Sequence, residues 1–309
     1  MKFAPRLAAA ALLGLAACAT PATDVPAGAE AGPHEGHHHA AFSSGRFHVL
    51  LEGQGPDLIL IPGLSSHPEI WQPLVDRLDG PHTIHRLHLQ GFAGAPAGDN
   101  ATGLVAAPVA DDLARYIREK GLRNPVVIGH SMGGTIALML AARHPDLVGR
   151  VMVVDQIPFM GQAFGNPDAT PEGLRPMADA VRAGMLGSTP EQWAAQAEAT
   201  LVTMIRTPDL RAGPTRHSRT SDQTVAGNAM HELITTDLRP ELGRITAPVE
   251  VVYVPFTWPG MTPELTDQIY RGAYATLPGA RFLRIDEAAH FIMLDQPDAF
   301  AGAVNTFLK

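Results

Sequence analysis

Short apolar runs alternate with longer amphipathic stretches from residue 57 to the end of the chain. The short runs are rich in Val, Ile and Leu, and their length is typical of buried β-strands. They occupy residues 57–61, 83–89, 125–128, 150–154, 249–254 and 281–285. Stretches with helical character include residues 105–121, 135–143, 263–277 and 297–308. Strands that alternate with helices predict an α/β fold with a doubly wound, mostly parallel sheet.

About 90 residues separate the predicted strand at 150–154 from the one at 249–254. A sheet connection normally needs far fewer, so we predict a helical cap inserted between these two late strands, at about residues 157–240. The segment is rich in methionine, which suits an adaptable apolar wall. Each methionine can equally belong to the cap's own core.

Gly129-His130-Ser131-Met132-Gly133 stands where a predicted strand passes into a predicted helix. A serine hydroxyl is a poor nucleophile until a base takes its proton, so the chain must present it within reach of a histidine. The G-x-S-x-G turn does this, because its glycines let strand and helix pass very close together. Ser131 is therefore the predicted nucleophile, in a strained conformation at a helix N-terminus. His130 is expected to pack against the turn or orient it.

From about residue 47 to its C-terminus, the chain resembles the α/β-hydrolase family. The resemblance rests on the elbow, on residues 62–64 after the first predicted strand, on the glycine turn at 90–94, and on residues 288–291 near the end. It implies that His290 is the general base and that the N–H groups of Met132 and Leu64 form the oxyanion hole. Pro62 departs from the family, which usually has histidine there.

The acid of a Ser-His-acid triad is harder to identify. The family usually places it after the penultimate strand, yet residues 255–260 contain no carboxylate. Some relatives, such as certain haloalkane dehalogenases, place it one strand after the elbow, where Asp155 ends the run 150–154. Asp155 is favoured to orient His290, although it can also be a turn residue. Asp286, Glu287 and a Ser-His dyad stay open as alternatives.

Residues 1–17 have the pattern of a signal peptide, in which Lys2 and Arg6 precede an apolar run too short to span a bilayer. Residues 15–18 resemble a bacterial lipobox, which implies cleavage before Cys18 and a lipid on its sulfur. Cys18 is the single cysteine, so no disulfide forms within the chain. These features predict export to the cell envelope, with membrane contact only through that lipid. A plain secretory signal is the alternative.

Residues 18–41 are rich in Ala, Pro, Gly and His without a periodic apolar face, and we expect a flexible tether. Its four histidines, at positions 34 and 37–39, fit a solvated linker better than a metal site. Residues 42–309 are long enough for one large domain. The net charge of −8 and the lack of a basic stripe argue against a nucleic-acid partner.

Neither a P-loop nor a dinucleotide fingerprint is present, and outside the tether no His/Asp/Glu set has metal-ligand spacing, so we expect no cofactor and no metal. Serine at position 131 argues against haloalkane dehalogenases and epoxide hydrolases, which attack with aspartate. The resemblance implies a serine hydrolase of small-molecule carboxylic esters, including lactones or thioesters. Two alternatives stay open: a cofactor-free haloperoxidase-like or C–C bond hydrolase on the same residues, and a lipid-anchored binding protein with degraded catalysis.

Overall fold

The computed structural model describes residues 42–162 and 168–309. The predicted signal peptide 1–17 and the predicted tether 18–41, with Cys18 and the four tether histidines, lie outside the described residues. In the described ranges, no helix is both long enough and apolar enough to cross a membrane.

Seven strands of the described chain form one sheet, with β1 at one edge and β7 at the other. They are β1 (Phe47–Gly53), β2 (Asp57–Ile61), β3 (Thr83–Leu89), β4 (Val126–His130), β5 (Arg150–Val154), β6 (Val249–Tyr253) and β7 (Arg281–Arg284). Their order is β1-β3-β2-β4-β5-β6-β7. Only the β1–β3 pair is antiparallel in this sheet. The predicted α/β class with a mostly parallel sheet is confirmed.

The first strand was not predicted from the sequence. β1 pairs with β3 along its whole length but forms the edge of the sheet, where burial is incomplete. Phe47 is 1% exposed, whereas Leu51 in the same strand is 63% exposed. The apolar run of this edge strand, residues 49–51, is shorter than the four-residue runs of β2 and β5, because an edge strand need not be buried on both faces.

Helices cover both faces of the sheet. In chain order they are α1 (Gln72–Val75), α2 (Ala106–Lys120), α3 (Met132–Arg143), α4 (Pro171–Leu186), α5 (Pro190–Met204), α6 (Ala212–Arg219), α7 (Gln223–Thr235), α8 (Pro263–Ala273), α9 (Ile292–Asp295) and α10 (Pro297–Leu308). Ile59 and Ile61 of β2 pack on one face, with α2, α3 and α8. Leu58 and Leu60 point the other way and pack with α1, α9 and α10. This alternation explains why the central strands are apolar at nearly every position.

Four helices, α4 to α7, lie between β5 and β6, in the segment where the sequence predicts the cap. Within it α4 packs against α7, and α5 packs against α6. A buried carboxylate joins α7 to the start of α2. Glu232, which is 1% exposed, accepts hydrogen bonds from the N–H groups of Val105, Ala106 and Ala107 at 2.6, 2.7 and 2.8 Å. These groups begin α2 and have no acceptor within the helix, so Glu232 caps α2 from a distant element.

Replacing Glu232 with alanine is expected to destabilise the fold by about 3 kcal/mol or more, because three buried N–H groups lose their charged acceptor. In a protein of this size, that corresponds to a drop of several degrees in the midpoint of thermal unfolding. Glu264→Ala is the matched control, since Glu264 is exposed in the first turn of α8. Equal melting temperatures for the two variants would refute the capping role.

Candidate active site

Ser131 lies at the turn between β4 and α3, with backbone φ of 53° and ψ of −121°. Residues other than glycine rarely adopt this region, and such strain persists only where surrounding contacts hold it. The N–H of Ser131 donates to the Val154 carbonyl at 2.9 Å, and its own carbonyl accepts from Gly134 and Thr135. Helix α3 therefore begins at Met132, three residues earlier than the predicted stretch. The turn is held on both sides while the serine side chain lines a cavity.

Two glycines let β2, β4 and α3 pass close together at this turn. A Cβ at Gly129 would overlap the carbonyl of Gly133, and a Cβ at Gly133 would overlap the carbonyl of Ile61. Backbone atoms occupy both spaces, so no rotamer change can make room. The close approach that the sequence motif suggests is present.

Asp155 and His290, which are 135 residues apart in sequence, meet beside this turn. The His290 Nδ1 lies 2.6 Å from Asp155 Oδ2. Asp155 follows β5 directly, and its N–H donates to the Val252 carbonyl of the neighbouring strand at 2.7 Å. Its other oxygen, Oδ1, accepts from the Tyr270 hydroxyl at 2.9 Å and from the Val254 N–H at 3.3 Å. The carboxylate is thus oriented by both of its oxygens.

The other two candidate carboxylates are engaged elsewhere. Asp286 pairs with Arg284 at 2.8 Å, and Glu287 pairs with Arg206 at 2.8 Å. Both side chains are more than half exposed, whereas that of Asp155 is 9% exposed. Of the three carboxylates considered from the sequence, the structure brings Asp155 to His290.

The loop that carries His290 is held by hydrogen bonds to Asp295 and to the end of α5. The N–H of Ala289 donates to Asp295 Oδ2 at 2.9 Å, and the N–H of Phe291 donates to the Met204 carbonyl at 3.1 Å. Asp295 also accepts from two backbone N–H groups just after α5. The end of α5 and the His290 loop are therefore hydrogen-bonded together. Nothing in the sequence around Asp295 pointed to this role, because it requires knowing which loop lies beside α5.

His130 is buried directly under His290. Its Nε2 is 2.9 Å from the His290 carbonyl oxygen, so this nitrogen carries the proton and donates. The ring packs against those of His290, Phe291 and Trp71, with centroids 4.5, 4.8 and 6.5 Å away. Its Nδ1 has no hydrogen-bond partner among the described residues. Burial, with a smaller contribution from His290, lowers the pKa of His130 well below its ordinary value. His130 therefore holds the backbone of His290, a contact that the sequence did not predict.

Acidification is expected to destabilise the fold through His130. The unfolded chain binds a proton on this ring as the pH falls below about 6.5, whereas the native ring, with its lowered pKa, stays neutral. The stability present above pH 6.5 is therefore lost as the pH falls towards the native pKa, at up to about 1.4 kcal/mol per pH unit. Melting curves between pH 8 and 5 measure this loss.

In the same measurement, His130→Gln keeps an N–H donor without a titrating group and is expected to flatten the decline. The flattening is partial, because burial also lowers the pKa values of His67, His88 and His217. If the stability of His130→Gln fell with pH as steeply as that of the parent protein, His130 would not be a cause of the acid destabilisation.

The cavity that Ser131 and His290 line has a volume of about 340 Å³. Leu64 lines it from the segment after β2, and Met132 begins α3 next to the serine, so its N–H has no acceptor within that helix. Helices α4 and α5 contribute an apolar wall that includes Met185, Met204 and Trp193. The lining contains no Asp, Glu, Lys or Arg side chain in the described residues. Such a site can hold an uncharged, largely apolar molecule against a serine and an imidazole.

Comparison with known proteins identifies the fold family. The sequence profile of the α/β-hydrolase fold family matches residues 56–297. The pimeloyl-(acyl-carrier protein) methyl ester esterase of Vibrio vulnificus (strain YJ016) is 23% identical over 260 residues, covering 84% of this chain and 97% of that protein.

Two solved structures share the fold over 85% of this chain. The enol-lactonase from Burkholderia xenovorans LB400 is 23% identical, with a TM-score of 0.66 and 96% of its chain covered. An esterase from Exiguobacterium antarcticum is 19% identical, with a TM-score of 0.71 and 95% of its chain covered. Since the family profile spans most of the sequence, the chain belongs to the α/β-hydrolase fold family, in which its relatives include esterases.

Proposed function

We propose that this chain is a serine hydrolase that cleaves carboxylic esters through an acyl-enzyme on Ser131. The observation that carries the proposal is the 2.6 Å contact between His290 Nδ1 and Asp155 Oδ2, beside a strained serine that lines the same cavity as His290. A proton on Nδ1, donated to the carboxylate, leaves a lone pair on Nε2. This is the tautomer that can accept a proton from a serine hydroxyl.

In the proposed reaction, Ser131 Oγ attacks the ester carbonyl carbon while His290 Nε2 takes the hydroxyl proton. The carbonyl oxygen becomes negative and accepts hydrogen bonds from the N–H groups of Met132 and Leu64. When the tetrahedral intermediate collapses, the alcohol leaves with the proton from His290, and the acyl group stays on Ser131. Water then attacks the acyl-enzyme by the same route and releases the acid.

Asp155 stabilises the imidazolium that forms twice in this cycle. Its Oδ1 is occupied by Tyr270 and the Val254 N–H, so Oδ2 keeps its direction towards His290. Because the carboxylate is 9% exposed, its interaction with the cation is screened little by water. The alternative of a binding protein with degraded catalysis rested on the missing acid after β6, and the contact between Asp155 and His290 supports the hydrolase instead.

The lining of the cavity favours uncharged substrates with a compact apolar acyl or alcohol group. A lactone or a thioester also fits, because its carbonyl carbon undergoes the same attack. Two similar proteins are named as a methyl ester esterase and an enol-lactonase, and esters and lactones belong to this class of carbonyl substrates.

Hydrolysis of para-nitrophenyl esters from acetate to palmitate, combined with labelling by a fluorophosphonate, tests the proposal. We expect turnover of the shorter esters, with a decline once the acyl chain exceeds a cavity of about 340 Å³. Mass spectrometry is expected to locate the label on Ser131. If no ester were turned over and Ser131 were not labelled, the assignment would be overturned.

We also propose that the protein is an envelope lipoprotein, anchored through Cys18. Support comes from the basic start, the short apolar run and the lipobox-like residues 15–18. Cys18→Ser cannot form the thioether, so the variant is expected to stay unprocessed or to move to the soluble envelope fraction. A processed variant that still partitions into detergent would contradict the anchor.

A further inference from the structure

Three potential metal ligands from two separate parts of the fold meet beside the cavity. His67 and Glu69 lie in the segment after β2, and His217 lies on cap helix α6. One ligand atom from each lies within 4.8 Å of the other two. The His217 Nε2 is 2.5 Å from Glu69 Oε1. The His67 Nδ1 accepts the Glu69 N–H at 3.1 Å and lies 3.5 Å from Glu69 Oε2. The two oxygens of one carboxylate thus face two imidazoles.

The surroundings hold both rings in place. His217 is buried, and its polar contact within the described residues runs through Nε2 to Glu69, because its Nδ1 has no partner there. The ring of His88 packs edge-on against that of His67, with centroids 4.6 Å apart. The side chain of Glu69 is 46% exposed, which leaves a route for an ion and room for a water ligand.

The chemistry of this donor set is specific. Two neutral imidazoles and one carboxylate form a three-ligand set that binds Zn²⁺ in proteins, with water as the fourth ligand. Imidazole favours Zn²⁺, Co²⁺ and Ni²⁺, whereas Mg²⁺ and Ca²⁺ prefer oxygen ligands throughout. Bond lengths of about 2.0–2.2 Å to a central ion require ligand atoms 3–4 Å apart, so small side-chain rotations complete the site.

We propose that His67, Glu69 and His217 bind one zinc-class divalent cation that links cap helix α6 to the main domain. Nε2 of the neutral His217 ring donates to Glu69, so binding through Nε2 moves that proton to Nδ1 of the same ring, which has no partner among the described residues and leaves the ligand neutral. Arg216, whose Nη2 is 2.9 Å from Glu69 Oε1, yields its place to the metal and turns outward. Its side chain is already 62% exposed.

The metal site has a direct structural relation to the cavity. Ser65 and Ser66, which line the cavity, immediately precede His67, and Pro214 and Ser218 line it from the helix that carries His217. The ion therefore fixes the distance between two walls of the cavity without taking part in bond cleavage. The proposal does not depend on the ester hydrolase assignment, since the ligands are separate from Ser131, His290 and Asp155.

The test uses the full chain with the four tether histidines replaced by alanine, because residues 34 and 37–39 also bind transition metals. After removal of metal with a chelator, titration with Zn²⁺ in a calorimeter is expected to give one equivalent per chain. The midpoint of thermal unfolding is expected to rise with the Zn²⁺ concentration. Mg²⁺ is expected to produce neither effect.

His67→Asn, Glu69→Gln and His217→Asn, each made in this background, are expected to weaken Zn²⁺ binding at least tenfold. His231→Asn is the matched control. This cap histidine pairs with Asp179 at 3.0 Å, away from the three ligands, so its replacement is expected to leave binding unchanged. Ser131→Ala is expected to bind Zn²⁺ like the parent protein, which separates this proposal from the hydrolase assignment.

Co²⁺ provides a readout that does not require the variants to fold equally well. The parent background is expected to show visible absorption bands of Co²⁺ with mixed nitrogen and oxygen ligands, and Zn²⁺ is expected to abolish them. Absence of a one-equivalent Zn²⁺ site in the parent background overturns the proposal. Unchanged affinity in folded His67→Asn and His217→Asn overturns it as well, and identifies the cluster as an ion pair between cap and main domain.

Discussion

Replacing Ser131 with alanine is expected to lower the turnover of a para-nitrophenyl ester by about a millionfold, the usual effect of removing a triad serine. Alanine has no hydroxyl to attack the carbonyl, while the glycines around the turn stay in place. The measurement is the turnover number at saturating substrate, together with a melting curve that verifies the fold.

Ser218→Ala serves as the matched control for this experiment. Ser218 lines the same cavity from α6, and only its backbone carbonyl accepts the Trp193 Nε1–H hydrogen bond, so the substitution removes a hydroxyl without disturbing that contact. We expect it to retain activity within about tenfold of the parent, since it makes no bond to the reacting carbonyl. If Ser131→Ala also stayed within tenfold, the chemistry would have to lie elsewhere.

Asp155→Asn is expected to lower turnover near neutral pH by about a thousandfold to ten-thousandfold. The amide keeps the size of the side chain but loses the charge that stabilises the imidazolium. An amide N–H directed at His290 Nδ1 would also force the proton onto Nε2, the nitrogen that must accept the serine proton. The turnover number of the purified variant, measured with the best ester of the panel, checks this expectation.

Two parallel variants make the test specific to Asp155. Asp286→Asn and Glu287→Gln each remove a charge close to His290 in sequence, but both side chains are exposed and form ion pairs with arginines. We expect losses below about tenfold for both. A large loss in Asp286→Asn with little change in Asp155→Asn would move the acid to the histidine loop. Modest losses in all three would favour a Ser-His dyad.

Tyr270 would not attract notice in the sequence, because its position on amphipathic helix α8 is that of an ordinary core aromatic. In the structure its hydroxyl donates to Asp155, and burial together with this carboxylate raises the pKa of Tyr270 well above its ordinary value. The phenol therefore stays protonated and keeps donating. Such a partner is invisible to pattern analysis, since it depends on which helix packs under the end of β5.

Local patterns in the sequence were sufficient for much of the fold. Parallel strands buried on both faces must be largely apolar, which marked β2, β4, β5 and β6 as short runs. β3 and edge strand β7 were predicted as well, although they carry polar residues. The elbow depends on residues adjacent in the chain, because its glycines and serine serve one turn, so the motif predicted the strained conformation of Ser131. Edge strand β1 was not predicted, and its apolar run of three residues, 49–51, is short.

Relations between distant residues were decided by the tertiary structure. The sequence left three carboxylates as partners for His290, and the sheet order, which places β5 next to β6, brings Asp155 to it. Glu232 caps a helix 125 residues away, and His217 meets Glu69 across 148 residues, so neither pairing has a characteristic spacing. The absence of metal-ligand spacing in the sequence therefore did not exclude the cluster of His67, Glu69 and His217.

The sequence by itself thus determined the elements whose cause is local: the central strands, the helices around them and the turn that exposes Ser131. Hydrophobic periodicity and glycine geometry act over a few residues, so they can be recognised without knowing the fold. The tertiary structure alone decided the partners of His290, the capping of the α2 N-terminus by Glu232 and the proximity of α6 to the segment after β2. Hydrogen bonds and ion pairs act over about 3 Å in space whatever the separation in sequence, and only the folded chain determines which residues come that close.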